Sequence, residues 1–486
     1  MTQAKDLSHL LSVEANSRKA SPLKSAFVYY GKPGMTFLGG GLPLADYFPI
    51  EKIQATIPKA PFEEGIGGNI SEKGFTDIEV LKRKQEGDDS HIELARSLQY
   101  GYTEGHTEIM DFVKEHTKIV HKVPYEDWDV IATAGNTEAW DSILRTFTTR
   151  GETILVEDHS FSSALETVNA LGVNTFPIPM DAEGILPDKL SDLLDNWVGP
   201  KPKLLYTIPT GQNPTGSSLS TERRKKVYEL ACKHDFIIIE DEPYYFLQME
   251  TYTTDKEARK GKAVHNHEEF LKAMIPSFIS MDVEGRVIRL DSFSKVLAPG
   301  LRFGWFVGQK NLLERLVRLH EVSIQNPSGL TQSITNALLS SWKQEGYLEW
   351  LIKIREEYTH KRDVAIDAIN EFCPKDIVSC LPPVAGMFFT VHFDASKHPK
   401  FKELNEEPLN IEKSIYEQSL KQGCLMIPGS WFKAEGNSVP PQTGILENPE
   451  TKNMIFFRGT YAAVPLEELA KGLEKFGKAV KIEFGV

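Results

Sequence analysis

Between about residues 130 and 308 the chain repeats one pattern, a short apolar run followed by a stretch of helical spacing. The runs are "DVIATAG", "ETILVED", "KLLYTIP", "FIIIEDE", "RVIRLDS" and "LRFGWFVG". Between them apolar residues recur at helical intervals, as in Trp140, Ile143, Leu144 and Phe147 at i, i+3, i+4 and i+7. Strands that alternate with helices build a largely parallel sheet covered on both faces, so the fold class expected is α/β. Ligands of such sheets bind beyond the carboxyl ends of the strands. That rule marks the residues after each run: Gly135 to Thr137, Phe161, Asn213, Asp241 and Lys295.

From about residue 346 the pattern changes to a long polar helix, "YLEWLIKIREEYTHKRDVAIDAINEF", then strands "MFFTVHF" and "MIFFRGTY" and a closing helix "PLEELAKGLEKFGKAV". This reads as a smaller α+β domain over 346–486, after a large domain over 96–345 and an N-terminal segment over 1–95. Residues 66–92, 250–276 and 435–452 are polar and rich in glycine, proline and aspartate, and read as surface insertions.

Charge narrows the partners. The formal net charge of −13 is spread along 486 residues, which argues against nucleic acid and anionic membrane. Any anionic ligand must be caught by local basic groups. Cys232, Cys373, Cys380 and Cys424 form no CxxC pair, as expected of reduced thiols in a reducing compartment. The N-terminal residues carry acids and lack the apolar segment of a secretory signal, and no run approaches the roughly 20 apolar residues that span a bilayer. A soluble cytoplasmic protein is expected. "HNHEEF" at 265–270 lacks partner cysteines or further histidines nearby, so no metal site is expected.

The chemistry concentrates in "DSFSKVLAPGLRFGW" at 291–305. A lysine at a strand's carboxyl end, in an apolar or cation-flanked pocket, has its ammonium form disfavoured, and the neutral amine can form a Schiff base with an aldehyde. Ser292, Ser294 and Arg302 add hydroxyl and guanidinium donors suited to a phosphate monoester. Together these suggest pyridoxal 5'-phosphate. In "IIIEDEPYYFL" at 237–247, Asp241 ends a fully apolar strand, where burial is costly unless the carboxylate is paired. A pyridinium N–H is such a partner and keeps the ring an electron sink. Tyr244 can donate to a ring oxygen, and "YTIPTGQNPTG" at 206–216 fixes Asn213 between turn formers.

The ordered set "NPTG", "EDEPYY" and "SFSK", followed by Arg302, resembles the signature of the class I/II aminotransferases, fold type I of the pyridoxal phosphate enzymes. The likeness runs from "ASPLK" at 20–24 and "GGGLP" at 39–43 to "FFRGTY" at 456–461, and in detail is to the branch of aminoadipate, kynurenine and fungal aromatic amino acid aminotransferases. The resemblance implies a large cofactor-binding domain, a smaller C-terminal domain and an N-terminal segment that covers the site. It implies that Lys295 carries the cofactor and shuttles the proton, that Asp241 pairs the pyridine nitrogen, and that Asn213 and Tyr244 bond the ring oxygen. In "TAGNTEAW", Asn136 and Thr137 lie at a helix start that favours phosphate. Phe161, where many relatives have tyrosine, would stack on the ring.

For the substrate, Arg458 is the α-carboxylate clamp, Gly41 permits close approach to the backbone, and Lys24 stands where some relatives place an arginine reaching the side chain. "SLQYGYTEG" at 97–105 resembles the stretch that crosses the interface of a homodimer with shared sites, which would bring Tyr100 to the other subunit's cofactor or substrate. The activity implied is exchange of an amino group between aromatic amino acids and 2-oxoglutarate. The alternatives are a 2-aminoadipate or kynurenine aminotransferase and, from another class, a non-catalytic regulator that binds pyridoxal phosphate.

Overall fold

The computed structural model describes residues 2–22, 29, 32–36, 38–68, 70–259, 266–436 and 452–486. The chain divides into two compact units, one of Met1–Glu152, Ala231–Pro243 and Asn266–Lys353, the other of Thr153–Leu230, Tyr244–His265 and Ile354–Val486.

In the first unit, strands Trp128–Thr133, Gly304–Gln309, Val287–Ser292 and Ile237–Asp241 adjoin in that order. Apart from Asp129 every one of their residues is buried, the reason these segments are apolar almost throughout instead of alternating. Ile237–Asp241 and Val287–Ser292 are parallel, with Leu290 opposite Asp241. Gly304–Gln309 is antiparallel to both its neighbours, an exception to the parallel pattern. Only residues 293–303 separate it from the preceding strand, too few for the crossover of a dozen or more residues that a parallel return needs. Those same residues carry Lys295. Helix Asn136–Phe147 buries Trp140, Ile143, Leu144 and Phe147, as its spacing predicts. Part of the 66–92 insertion is regular structure, since Phe75–Leu81 pairs antiparallel with Lys52–Pro58. The helical stretch Gly329–Phe372 is broken at Lys343 (φ 54°, ψ −175°), close to the point where the sequence pattern changes.

In the second unit, Leu204–Thr207, Thr153–Glu157 and Asn174–Ile178 are parallel neighbours. The last of these escapes the apolar-run reading because Asn174, Thr175 and Pro177 interrupt it, and proline is tolerated on an edge strand. A smaller antiparallel sheet runs in the order Val378–Ser379, Phe388–Asp394, Met454–Thr460 and Ile427–Pro428. Phe389, Val391, Phe393 and Phe457 pack with Phe476 and Val480 of the closing helix Leu466–Phe484 to form its core. The opening of the 250–276 insertion is docked, with the Arg259 guanidinium donating bidentately to Asp367 at 2.8 and 2.7 Å and Tyr252 Oη to the same carboxylate at 2.7 Å. Residues 437–451 of the third insertion lie outside the described residues.

The four cysteines are free, and burial pushes the Cys373 and Cys380 thiols up to about 12. Among the described residues no helix is long and apolar enough to cross a membrane.

The loop that presents Asn213 crosses the one before strand Phe388–Asp394 at two glycines. A Cβ on Gly211 would stand 2.5 Å from Gly386 Cα, and one on Gly386 would stand 2.7 Å from Gly211 O. Both have positive φ, +59° and +81°. Gly386→Ala is expected to lose about 2–4 kcal/mol in urea unfolding, more than Gly87→Ala, which bears a similar φ of +83° in open space. Equal losses would show that the crossing adds nothing beyond backbone conformation.

Candidate active site

Strand Val287–Ser292 delivers the chain into the turn that holds Lys295. Phe293, fully buried, stacks on Phe303 at 5.8 Å and meets Trp305 at 4.9 Å, and Trp350 Nε1 donates to Val296 O at 2.6 Å. Lys295 therefore projects from a turn pinned on both sides. It is half-buried, and burial first, then the nearby Arg302 cation, pull its amine below the ordinary lysine range. Both effects favour the neutral, nucleophilic form.

Ser292 Oγ donates to Ser294 Oγ at 2.6 Å, and the Ser294 N–H donates to Ser292 Oγ at 2.9 Å. Arg302, left-handed at φ 47°, donates from Nη1 to Pro299 O at 3.0 Å and from Nη2 to Ala134 O at 3.1 Å. Its guanidinium lies over the bend that opens helix Asn136–Phe147. Gly135 there has φ +95°, and a Cβ on it would stand 2.6 Å from Arg302 Nη2. The positive φ favours glycine there, and the cation beside the helix's first-turn N–H groups makes an anion-seeking corner.

Asp241 is 6% exposed at the end of its strand. Asn136 Nδ2 donates to Asp241 Oδ1 at 2.7 Å and to Leu290 O at 3.0 Å, so this side chain, expected near phosphate, is engaged by the carboxylate. Asn136 Oδ1 is left buried without a hydrogen-bond partner, an acceptor facing inward. Thr137, the second residue of the helix, is exposed. Next to Asp241 in sequence, Glu240 lies 3.4 Å from the Arg289 guanidinium, which also donates to both oxygens of Asp291 at 2.7 and 2.8 Å. Burial works against the Arg289 charge, yet Asp291 and Glu240 hold it above the ordinary arginine value.

The second unit gathers a different group. Arg458 sits mid-strand, opposite Thr390 on one side and Ile427 on the other. Its guanidinium lies 4.5 Å from the Phe388 ring centre and 4.6 Å from that of Phe432, and Nη1 donates to Asn213 Oδ1 at 2.7 Å. Burial pulls Arg458 below its ordinary value while Tyr244 opposes the shift. Tyr244, 5% exposed, meets Phe388 edge-on at 5.8 Å. The stem and plane of the guanidinium are thus fixed by two rings and one amide, leaving it oriented for a bidentate anion. Phe388 and Phe432 carry no sequence motif that marks them as part of the site. Phe161, half-buried, caps helix Ser162–Leu171, and the adjoining Ser160 N–H donates to Phe432 O at 2.9 Å.

Other expected residues stand apart. Gly41 is exposed with open space around it, Tyr100 is 57% exposed, and Lys24 lies outside the described residues. His267 of "HNHEEF" bonds Glu349 Oε1 at 2.6 Å. Among the described residues no group of three or more histidine, cysteine or acidic side chains could hold a metal ion.

A family model for aminotransferase class I and II matches residues 66–476. An aromatic amino acid aminotransferase of Schizosaccharomyces pombe is 44% identical over 489 residues, covering 99% of this chain and 99% of that protein. The crystal structure of aminotransferase Aro8 from Candida albicans is 66% identical, with a TM-score of 0.96 and 100% of both chains covered. A kynurenine aminotransferase from Pyrococcus horikoshii, in complex with PMP, KYN and KYA, is 28% identical, with a TM-score of 0.65 over 80% of this chain and 83% of that one.

The Lys295 environment sets an expectation for its reactivity. An aldehyde probe followed by borohydride should label a peptide within 291–302 at a pH where exposed lysines stay unlabelled. Arg302→Met, which removes a neighbouring positive charge, should move the onset of labelling to higher pH. An unchanged onset would mean that burial alone tunes the amine.

Proposed function

We propose that this chain, which belongs to the class I and II aminotransferase family, moves the amino group between aromatic amino acids (phenylalanine, tyrosine, tryptophan) and 2-oxoglutarate in the two half-reactions of a ping-pong cycle. It is a pyridoxal-phosphate-dependent aminotransferase. The observation that carries the reading is the half-buried Lys295 amine, biased toward its neutral form, in a chain whose full-length relatives are named for aromatic amino acids.

The residues fit the cofactor. The glycine-opened helix start beside Arg302 suits a phosphate, and the inward acceptor of Asn136 suits a donor that accompanies it. When bound, the cofactor supplies an aldehyde that takes up the amino group and a ring that draws electrons from the substrate Cα. Phosphate is assigned to the Asn136 and Thr137 N–H groups, Ser292, Ser294 and Arg302, with Asn136 also steadying Asp241. Asp241 would hold the ring nitrogen protonated, Asn213 and Tyr244 would bond the ring oxygen, and Phe161 would cover the ring face. Lys295 Nζ would take the proton from Cα of the amino acid and, in the other half-reaction, deliver one to Cα of the amino acid formed from 2-oxoglutarate. Arg458 binds the α-carboxylate common to both substrates, with Gly41 at the approach and Lys24 toward an acidic side chain. In functional terms, 96–345 is the cofactor domain, 346–486 the small domain and 1–95 the cover.

A homodimer in the cytoplasm completes the proposal. Met35, Leu38, Tyr47, Tyr100 and Tyr102 are 51 to 89% exposed in the single chain. A second copy would cover it and receive Tyr100.

Side-by-side assay of phenylalanine, tyrosine, tryptophan, kynurenine and 2-aminoadipate against 2-oxoglutarate tests the substrate class, and the aromatic three are expected to have the highest kcat/KM. Asp241→Asn is expected to keep the fold and lose roughly 100-fold or more in kcat, because a neutral amide does not sustain the protonated ring. Near-normal turnover would remove that role. Mixed dimers of Lys295→Ala and Tyr100→Phe subunits should regain activity that neither has alone, and no gain in dimers shown to be mixed would exclude a shared site.

A further inference from the structure

We infer that Gln212 is the positioning residue of the carboxylate clamp, holding Asn213 and through it Arg458 in the orientation that binds the α-carboxylate of both substrates. The inference rests on Arg458 binding that carboxylate.

Gln212 is 1% exposed, and its side chain makes four hydrogen bonds. Nε2 donates to Glu157 Oε2 at 3.0 Å and to His159 O at 2.6 Å. Oε1 accepts from the Thr215 N–H at 2.8 Å and from Thr215 Oγ1 at 2.7 Å. Both donors and both acceptor positions of the amide are thereby used. Its main chain is closed as well, with the Gln212 N–H donating to Ser217 O at 2.9 Å and Gln212 O accepting from the Gly216 N–H at 2.7 Å.

The loop needs such a brace. Gly211 and Gly216, on either side of Asn213, have φ of +59° and +72°, conformations that glycine adopts easily and does not itself fix. The brace is anchored in turn, because the buried Glu157 carboxylate accepts from Thr207 Oγ1 at 2.7 Å and from the Ile208 N–H at 3.2 Å. Asn213, the next residue, then accepts from Arg458 Nη1 at 2.7 Å. A chain of short bonds therefore runs from the end of strand Thr153–Glu157 to the guanidinium. Loss of the Gln212 side chain would leave the loop held by its main-chain bonds alone and loosen the orientation of the Asn213 amide against Arg458.

The Glu157 carboxyl accepts from Thr207, Ile208 and Gln212, so position 212 must donate to keep that set. Gln212→Glu is nearly isosteric but places a second carboxyl beside Glu157 and the His159 carbonyl. Two carboxylates that close cannot both ionise, and only the protonated form restores a donor. Titratable groups near them include Asp158, His159 and Lys433, with contacts of 3.3 and 2.6 Å, His392 and Glu412 beyond His159, and Arg458 beyond Asn213. Glutamine does not titrate, so a pH dependence relative to wild type reports the introduced carboxyl.

The test uses the purified holoenzyme. Kinetics with phenylalanine and with 2-oxoglutarate are joined to calorimetric binding of 3-phenylpropionate, a carboxylate without an amine to react. Gln212→Ala is expected to raise both KM values and the 3-phenylpropionate Kd about 10-fold, with kcat changed less than about 3-fold. Gln212→Glu should show the same loss near about pH 8.5 and recover much of it near about pH 6, each relative to wild type. Should Gln212→Ala not fold, Gln212→Glu decides alone. Unchanged Kd, a loss confined to kcat, or a Gln212→Glu loss independent of pH would each overturn the inference. Arg458→Lys separates the two levels. If it weakens 3-phenylpropionate binding while the Gln212 variants do not, only the positioning role fails; if it does not, the clamp reading fails and the inference with it.

Discussion

A carboxylate buried at the end of a buried strand is tolerable only where donors face it. Asn136 Nδ2, 2.7 Å from Asp241, meets that demand, and much of the first unit's site follows from it. The bond ties the start of helix Asn136–Phe147 to the end of strand Ile237–Asp241, and the second bond of the same amide, to Leu290 O, ties it to the neighbouring strand. With the helix start fixed there, Gly135 must turn at positive φ and Arg302 can reach Ala134 O across it. Removing a donor from a buried charged group costs about 1–3 kcal/mol or more, so the arrangement has little freedom to relax.

The second unit solves the opposite problem, a half-buried cation. Arg458 is surrounded by two aromatic rings and one amide oxygen and has no carboxylate partner among the contacts described for it. A guanidinium left in that state is stabilised by an incoming anion, and the planar fork selects a carboxylate. The second unit therefore keeps a cation oriented by its neighbours before an anion arrives, which is how a site gains affinity without reorganising.

Much of this was legible in the chain. Lys295, Asp241, Asn213 and Arg458 each follow a strand or sit within one, and buried strands announce themselves by apolar runs whose ends can be counted. The long turn after Ser292 was visible too, although its brevity as a connection, which forces Gly304–Gln309 to run antiparallel, was passed over. Strand Asn174–Ile178 was hidden by its own proline and polar residues, because an edge strand relaxes the rules that make central strands legible. The 66–92 segment looked like a loop for the related reason that an exposed hairpin carries no apolar run.

The sequence by itself determined which elements form and which residues lie at the carboxyl ends of strands, because those follow from local periodicity and from the cost of burying polar groups. Only the tertiary structure decided which amide faces which charge. Asn136 sits 105 positions from Asp241, and Gln212 lies 55 positions from Glu157. No local pattern encodes such pairings, since they depend on how strands distant in sequence come to rest side by side. The same holds for the crossing of Gly211 and Gly386: each glycine looks like turn punctuation alone, and their shared need for a missing side chain exists only once the two loops meet.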